Sequence, residues 1–174
     1  MTETPATATA TPTAAPPPFP PQEIGDFLRF CAGEWMSLRS QFALDAAAAG
    51  EQGDEWHSSE RGELVVAFLE PLEASRDPGG LSVGPKGGVP RQLQFSADGR
   101  FSAAHGGEGH WELWPDGSLE LRIRKGSGEV RERIWFTKPN LRLRSTVEHP
   151  GDGLPARASF SSEIRRVSRP ATGA

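Results

Sequence analysis

The sequence predicts a mainly β domain: one short helix, then roughly eight to ten antiparallel strands joined by tight turns into a closed β-barrel or a sandwich. Three observations carry this. Helical spacing of apolar residues occurs once, near the start; the later apolar segments are short and bounded by turns; and Gly, Pro and Asp clusters punctuate the chain at short intervals. With 174 residues, the chain is long enough for one well-cored domain and short for two.

Residues 1–21 are almost entirely Ala, Thr and Pro and cannot bury enough apolar surface to offset the entropy of ordering, so a disordered tail is expected there. No Arg or Lys precedes Arg29, which argues against an organelle transit peptide. Within residues 22–32, Ile24, Phe27, Leu28 and Cys31 fall at helical spacing, and Gly33 is placed to end the helix. Residues 34–44 alternate as a strand with Trp35, Ser37, Arg39 and Gln41 on one side. A polar loop over 45–59 leads to a second strand, 62–72, stopped by Pro71. The Gly and Pro between Ser75 and Pro90 predict turns around a short edge strand. Two hairpins follow, 91–105 turned at Ala97-Asp98-Gly99 and 110–125 turned at Pro115-Asp116-Gly117. Turns at 126–128 and from His149 flank a central hairpin, and 157–167 is the last strand, with the domain closing near Arg169 and a flexible 170–174.

The central hairpin, residues 132–145, is the most informative stretch. Pro139 and Asn140 supply the turn. A loop of two or four residues pairs Phe136 with Leu141, Trp135 with Arg142, Ile134 with Leu143 and Arg133 with Arg144. One face is then apolar, and the other carries Trp135 and three guanidiniums. Like charges directly opposite one another are unfavourable, so either that face is solvated and screened, or it receives an anionic, planar ligand that Arg pairs with and Trp stacks on. In the last strand Ser161, Glu163 and Arg165 share a side, and Glu163 is a natural carboxylate for the Arg face. If that face points inward, the strip Ile134, Phe136, Leu141 and Leu143 points out and predicts a dimer interface.

Net charge is −4, but residues 122–169 hold 12 Lys or Arg against 5 Asp or Glu, whereas residues 1–121 hold 7 against 18. Nucleic acid is not an expected partner; the asymmetry suits an acidic ligand or the meeting of two copies. Cys31 is the only cysteine, which excludes an internal disulfide and fits a reducing, cytoplasmic compartment; its place on the apolar stripe makes it a core thiol. No stretch reads as a membrane span or secretory signal. His57, His105, His110 and His149 are scattered in or beside predicted loops, without metal-ligand spacing, so no metal is expected. Nucleophile elbow, P-loop and zinc-protease signatures are missing.

The segment ERIWFTKPNLRLRS at 132–145, with ASFSSEIRR at 158–166 and AGEWMSLRS at 32–40, resembles the S/U-type phycobiliprotein lyases of the CpcS/CpeS family. DEWHSSERGEL at 54–64 and the Trp-rich hairpin HWELWPDGSLEL add to the likeness, which runs from about Phe27 to Val167. The resemblance implies a lipocalin- or fatty-acid-binding-protein-like barrel over residues 22–169. It also implies an enzyme that binds an open-chain tetrapyrrole (a bilin such as phycocyanobilin or phycoerythrobilin) as substrate, with no permanently bound cofactor, and promotes its thioether attachment to a cysteine of an apo-phycobiliprotein subunit. Arg142 and Arg144 become propionate clamps, Trp135 a stacking wall, Glu163 the catalytic acid near the pyrrole nitrogens, and Arg133 and Arg39 further ligand contacts. Many S-type members carry adjacent histidines where this chain has Phe42 and Ala43, which tilts the resemblance toward the U-type branch, whose members can act with an S-type partner. A homodimer or a heterodimer with a related lyase subunit is therefore expected. A bilin carrier without catalysis and a plain lipophilic-acid carrier are the competing functions.

Overall fold

The structure, a computed structural model, describes residues 18–44, 56–104, 107–151 and 153–167. Its elements are helix α1 (Ile24–Cys31) and strands β1 (Gly33–Ala43), β2 (His57–Leu69), β3 (Gly79–Pro85), β4 (Arg91–Phe95), β5 (Arg100–Ala103), β6 (Gly107–Leu113), β7 (Leu119–Lys125), β8 (Gly128–Lys138), β9 (Leu141–His149) and β10 (Arg157–Arg165). Each strand pairs antiparallel with its sequence neighbour, and β1 pairs with β10 to close the barrel. Closure leaves no strand edge exposed, so β3, expected at an edge, is instead a rung between β2 and β4. The expected tails fall mostly on residues 1–17 and 168–174, outside the described residues, as do most of the loop after β1 and His105.

Local chemistry explains most boundaries. The α1 stripe turns Phe27, Leu28 and Cys31 into the core, all at most 1% exposed. Where the last carbonyls of a helix lack intrahelical donors, a cation can serve them. Here Arg165 donates to the carbonyls of Ala32 and, at 2.6 Å, of Phe30. Gly33, at φ +142, lets the chain turn into β1 beneath that guanidinium; a Cβ there would lie 2.7 Å from Arg165 Nη1. In both predicted Asp-Gly hairpins the Asp accepts from the backbone N–H two residues on, Asp98 from Arg100 and Asp116 from Ser118.

Two expectations are corrected. β2 begins at His57, not Gly62, because its first turns are wet on both faces and so lack apolar alternation. In the central hairpin the register is one residue off the expected one: Lys138 pairs with Leu141, a bulge intervenes, and Phe136 then faces Arg142, Trp135 faces Leu143, and Ile134 faces Arg144. An extra residue on one strand flips every side chain beyond it relative to the partner. Arg142 and Arg144 consequently share the inner face with Ile134 and Phe136, while Arg133 and Trp135 share the outer face with Leu141 and Leu143. The apolar strip expected over Ile134, Phe136, Leu141 and Leu143 does not exist as one surface.

Candidate functional site

α1 stoppers one end of the barrel, with Phe27 and Phe30 packed edge-on against Phe136 at ring distances of 5.3 and 4.8 Å. At the other end residues 57–62 of β2 are exposed on both faces, so the inner surface of the barrel is open to water there. Between stopper and mouth, the inward positions of β8, β9 and β10 converge on four charged side chains. Glu163 stands directly opposite Arg142 across the β9–β10 ladder. Arg142 Nε donates to Glu163 Oε2 at 2.5 Å, and Arg144 bridges Glu163 Oε1 and Glu132 Oε1, each at 3.3 Å.

Glu132, Arg142 and Arg144, with Arg91 of β4, line one small space together with Val66, Leu81, Leu93, Leu119, Leu121 and Ile134. The quartet has a depth gradient. The side chains of Arg142 and Glu163 are 2% and 1% exposed, whereas those of Arg144 and Glu132 are 16% and 10% exposed and lie nearer the mouth. Burial alone would pull the Arg144 guanidinium down, but the carboxylates of Glu132 and Glu163 outweigh it and hold it above its ordinary value. The quartet is not saturated: Arg142 Nη2 and Arg144 Nε are buried without any acceptor. Leaving such donors unpaired costs about 1–3 kcal/mol each, more when charged, so the site is built to receive an acceptor. The enclosed space beside them, about 20 Å³, admits a water molecule and nothing larger.

Beneath the quartet, Trp35 lies between two guanidiniums, Arg142 at 4.4 Å and Arg165 at 4.2 Å from its ring, and its Nε1–H donates to the Cys31 carbonyl at 3.0 Å. Burial pushes the Cys31 thiol up, only partly offset by Arg142 beside it. An acid whose folded value is raised stabilises the fold below its unfolded value and loses that contribution as pH rises through the folded one. Native Cys31 is therefore expected to resist an aromatic disulfide reagent at pH 9 and react on unfolding. Stability should fall as pH climbs past the ordinary thiol range, and the Cys31→Ala variant should lose that fall; rapid native labelling would contradict the packing.

Of the residues singled out from sequence, Arg142, Arg144 and Glu163 are brought together, and Arg39 shares their inner surface, donating to Ser159 Oγ at 3.2 Å. Arg133 and Trp135 are not there. Arg133 is held outside by Asp116 at 2.8 Å and Ser118 Oγ at 2.9 Å, over the Trp114 ring, and Trp135 packs on Phe160. Glu132, Trp35 and Arg165 were missed as site residues. The signal for Glu132 was available: it alternates with Ile134 and Phe136, so an acid occupies a core-facing position. His57 and His110 are exposed, and no cluster of metal-ligating residues occurs among the described residues. No helix among them is long and apolar enough to cross a membrane.

Residues 101–166, which contain the quartet, match the family model described as CpeS-like protein. A curated relative, chromophore lyase CpcS/CpeS 1 of Paulinella chromatophora, is 46% identical over 152 residues, covering 87% of this chain and 92% of that protein. Chromophore lyase CpcS/CpeS 2 of a Synechococcus strain is 33% identical over 137 residues, covering 78% and 65%. The solved S-type phycobiliprotein lyase CPES from Guillardia theta superposes with a TM-score of 0.59 over 84% of this chain and 94% of that one, at 19% identity, a likeness of fold. These names are CpcS/CpeS or S-type, so the tilt toward a U-type branch rests on Phe42 and Ala43 alone. With nearly the whole barrel shared at 46% identity, the chain belongs to the CpcS/CpeS family of chromophore lyases.

Proposed function

We infer that the barrel takes an open-chain tetrapyrrole through its open mouth and promotes addition of a phycobiliprotein cysteine to it. The observation that carries this is the Arg144 guanidinium, turned toward the mouth and with its Nε lacking an acceptor, in a charged cluster facing an apolar barrel. Carboxylates satisfy such donors in paired geometry, and a bilin offers two of them on a flat apolar frame. A site for such a ligand needs about 300–1,000 Å³. The space under the quartet is far smaller, so the ligand lies above it, toward the mouth, with its propionates within reach of Arg144 and Arg39.

Glu163 belongs to the floor, where both oxygens are engaged by arginines and it anchors Arg142 and Arg144. Glu132 is held by Arg144 alone. A propionate arriving at Arg144 competes with Glu132 and frees it to accept hydrogen bonds from pyrrole N–H groups. A carboxylate there favours the protonated, more electrophilic bilin. Glu163 is the deeper acid and supports the same protonation through the shared Arg144. The acceptor thiol then adds across the exocyclic double bond of ring A: sulfur bonds to the ethylidene carbon, the proton goes to the ring carbon, and no oxidant is needed. Positioning supplies much of the rate, and a true general acid adds about 10²-fold or more.

The test is transfer of bilin to an apo-subunit, read as acid-stable colour on the denatured acceptor, beside bilin binding read by absorbance. Arg144→Ala should weaken binding by roughly 10- to 100-fold, the worth of about 1.5–3 kcal/mol for a charge-assisted contact. Glu132→Gln should bind nearly as well and transfer more slowly. Colour that stays on this chain until a related lyase subunit is added would make it a carrier or accessory subunit. Absence of bilin binding would overturn both.

A further inference from the structure

The inward positions of β3 to β6 form an apolar wall with one exception. Alternation puts Arg91 on the same side of β4 as Leu93 and Phe95, which are 4% and 2% exposed. Every other inward residue of these four strands is Leu, Val, Phe, Ala, Gly, Pro or Trp, so Arg91 is the single charge on that wall. β4 lies diametrically across the barrel from β9, since five steps separate them in either direction round the ten strands. Yet Arg91 lines the same small space as Arg142, Arg144 and Glu132, so its side chain reaches over the lumen toward the quartet. It stands at the mouth end of β4, where it is exposed, and its guanidinium has no hydrogen-bond or ion-pair partner among the described residues.

The carboxylates of the chain leave Arg91 over. Arg142 and Arg144 answer Glu163 and Glu132 one for one, and Arg39 has Ser159 Oγ at 3.2 Å and Glu60 opposite it across the β1–β2 ladder. A lone guanidinium gains little from an apolar wall, and a carboxylate is the group that its planar fork fits. Resting on the bilin reading above, we propose that Arg91 is the second carboxylate clamp. Arg144 takes one propionate on the β9 wall, Arg91 takes the other on the facing wall, and the tetrapyrrole lies across the lumen between them. The propionates of a bilin stand on its two central rings, each on a flexible arm, so they can meet guanidiniums that come from two walls. Arg39 is the other cation within reach, but it is already engaged and shares the polar wall with Arg144. Clamps on facing walls hold the flat frame on two sides, which fixes its orientation better than two contacts on one wall. Selection follows from the same arrangement. A bilin with both propionates free satisfies both clamps, whereas one with a blocked propionate leaves a guanidinium unpaired.

Titration of the full chain with phycocyanobilin, its dimethyl ester and its two monomethyl esters, read by absorbance, tests this. Arg91→Gln should weaken the free diacid by roughly 5- to 20-fold, between the worth of an exposed ion pair and that of a charge-assisted hydrogen bond. It should leave the dimethyl ester unchanged, which also shows that the variant is folded, and Arg91→Lys should recover part of the loss. The monoesters separate the two clamps. The regioisomer that no longer responds to Arg91→Gln should still respond to Arg144→Ala, and the other should do the reverse. A diacid that binds wild type and Arg91→Gln equally would overturn the clamp and leave the bilin reading standing. So would a preference for acid over ester that Arg39→Gln abolishes and Arg91→Gln does not touch. Failure of all these bilins to bind the wild-type chain would overturn both.

Discussion

Arg142→Ala is expected to destabilise the fold by about 3–5 kcal/mol, because it leaves the Glu163 carboxylate buried with its closest cation gone. The side chains are 2% and 1% exposed and bonded at 2.5 Å, so solvent does little to screen the loss. Urea denaturation followed by tryptophan fluorescence measures it. Glu163→Gln should cost less than Arg142→Ala, since it leaves a neutral group that still accepts a hydrogen bond, but it leaves Arg142 without a carboxylate partner and Arg144 with Glu132 alone. The double variant Arg142→Met with Glu163→Gln should be destabilised by clearly less than the two single effects added together, a coupling of the kind contacting charges show. Because the floor holds Arg144 through Glu163, bilin binding should be lost in the single variants and should not return in the double one. Recovery of stability without recovery of binding separates the structural role of the pair from its role as a floor for the ligand; simple additivity would mean the pair is not coupled as its geometry requires.

Trp35→Ala should cost a similar amount, about 3–5 kcal/mol, by opening a cavity where a fully buried indole lies between two guanidiniums. It also removes the hydrogen bond to the Cys31 carbonyl that ties β1 to the end of α1. Trp35→Phe keeps most of the volume and should cost visibly less. Because Trp35 touches both Arg142 above and the Arg165 clamp below, its truncation should loosen α1 as well. Amide exchange over Phe27–Cys31 should quicken in Trp35→Ala well beyond what the global stability change accounts for. Uniform quickening would mean that α1 is held by the barrel as a whole.

The helix was legible because one 11-residue window carries helical spacing that appears nowhere else, and the two Asp-Gly hairpins because their turns are made of local side-chain chemistry. The faces of β1 and β10 followed from their alternation, loose in β1, and with them the meeting of Glu163 with an arginine. The hairpin between β8 and β9 went wrong at a single residue. Whether a turn carries a bulge depends on how the strands beyond it pack, and the sequence around Pro139 admits both registers. The inward side of Ile134 and Phe136 is decided by α1, whose Phe27 and Phe30 lie more than a hundred residues upstream and cover Phe136. That long-range contact explains why Trp135 and Arg133 were placed with the wrong arginines. It also explains why Glu132, beside two core residues, was passed over.

The ladder between β1 and β10 joins residues 33–43 to residues 157–165. Every other rung of the barrel can form between neighbours in sequence, but this one waits for almost the entire chain. Glu163, which holds both interior arginines, and Arg165, which clamps α1, arrive together on that final strand. During synthesis, the sheet cannot close, and Arg142 and Arg144 lack the Glu163 carboxylate, until β10 has emerged. Contacts of such high sequence separation make folding slow, on the order of milliseconds to seconds. Competence to hold a ligand should accordingly appear in one step once residues 157–165 are free to pair, and shorter nascent lengths should be marked by sensitivity to protease rather than by partial function.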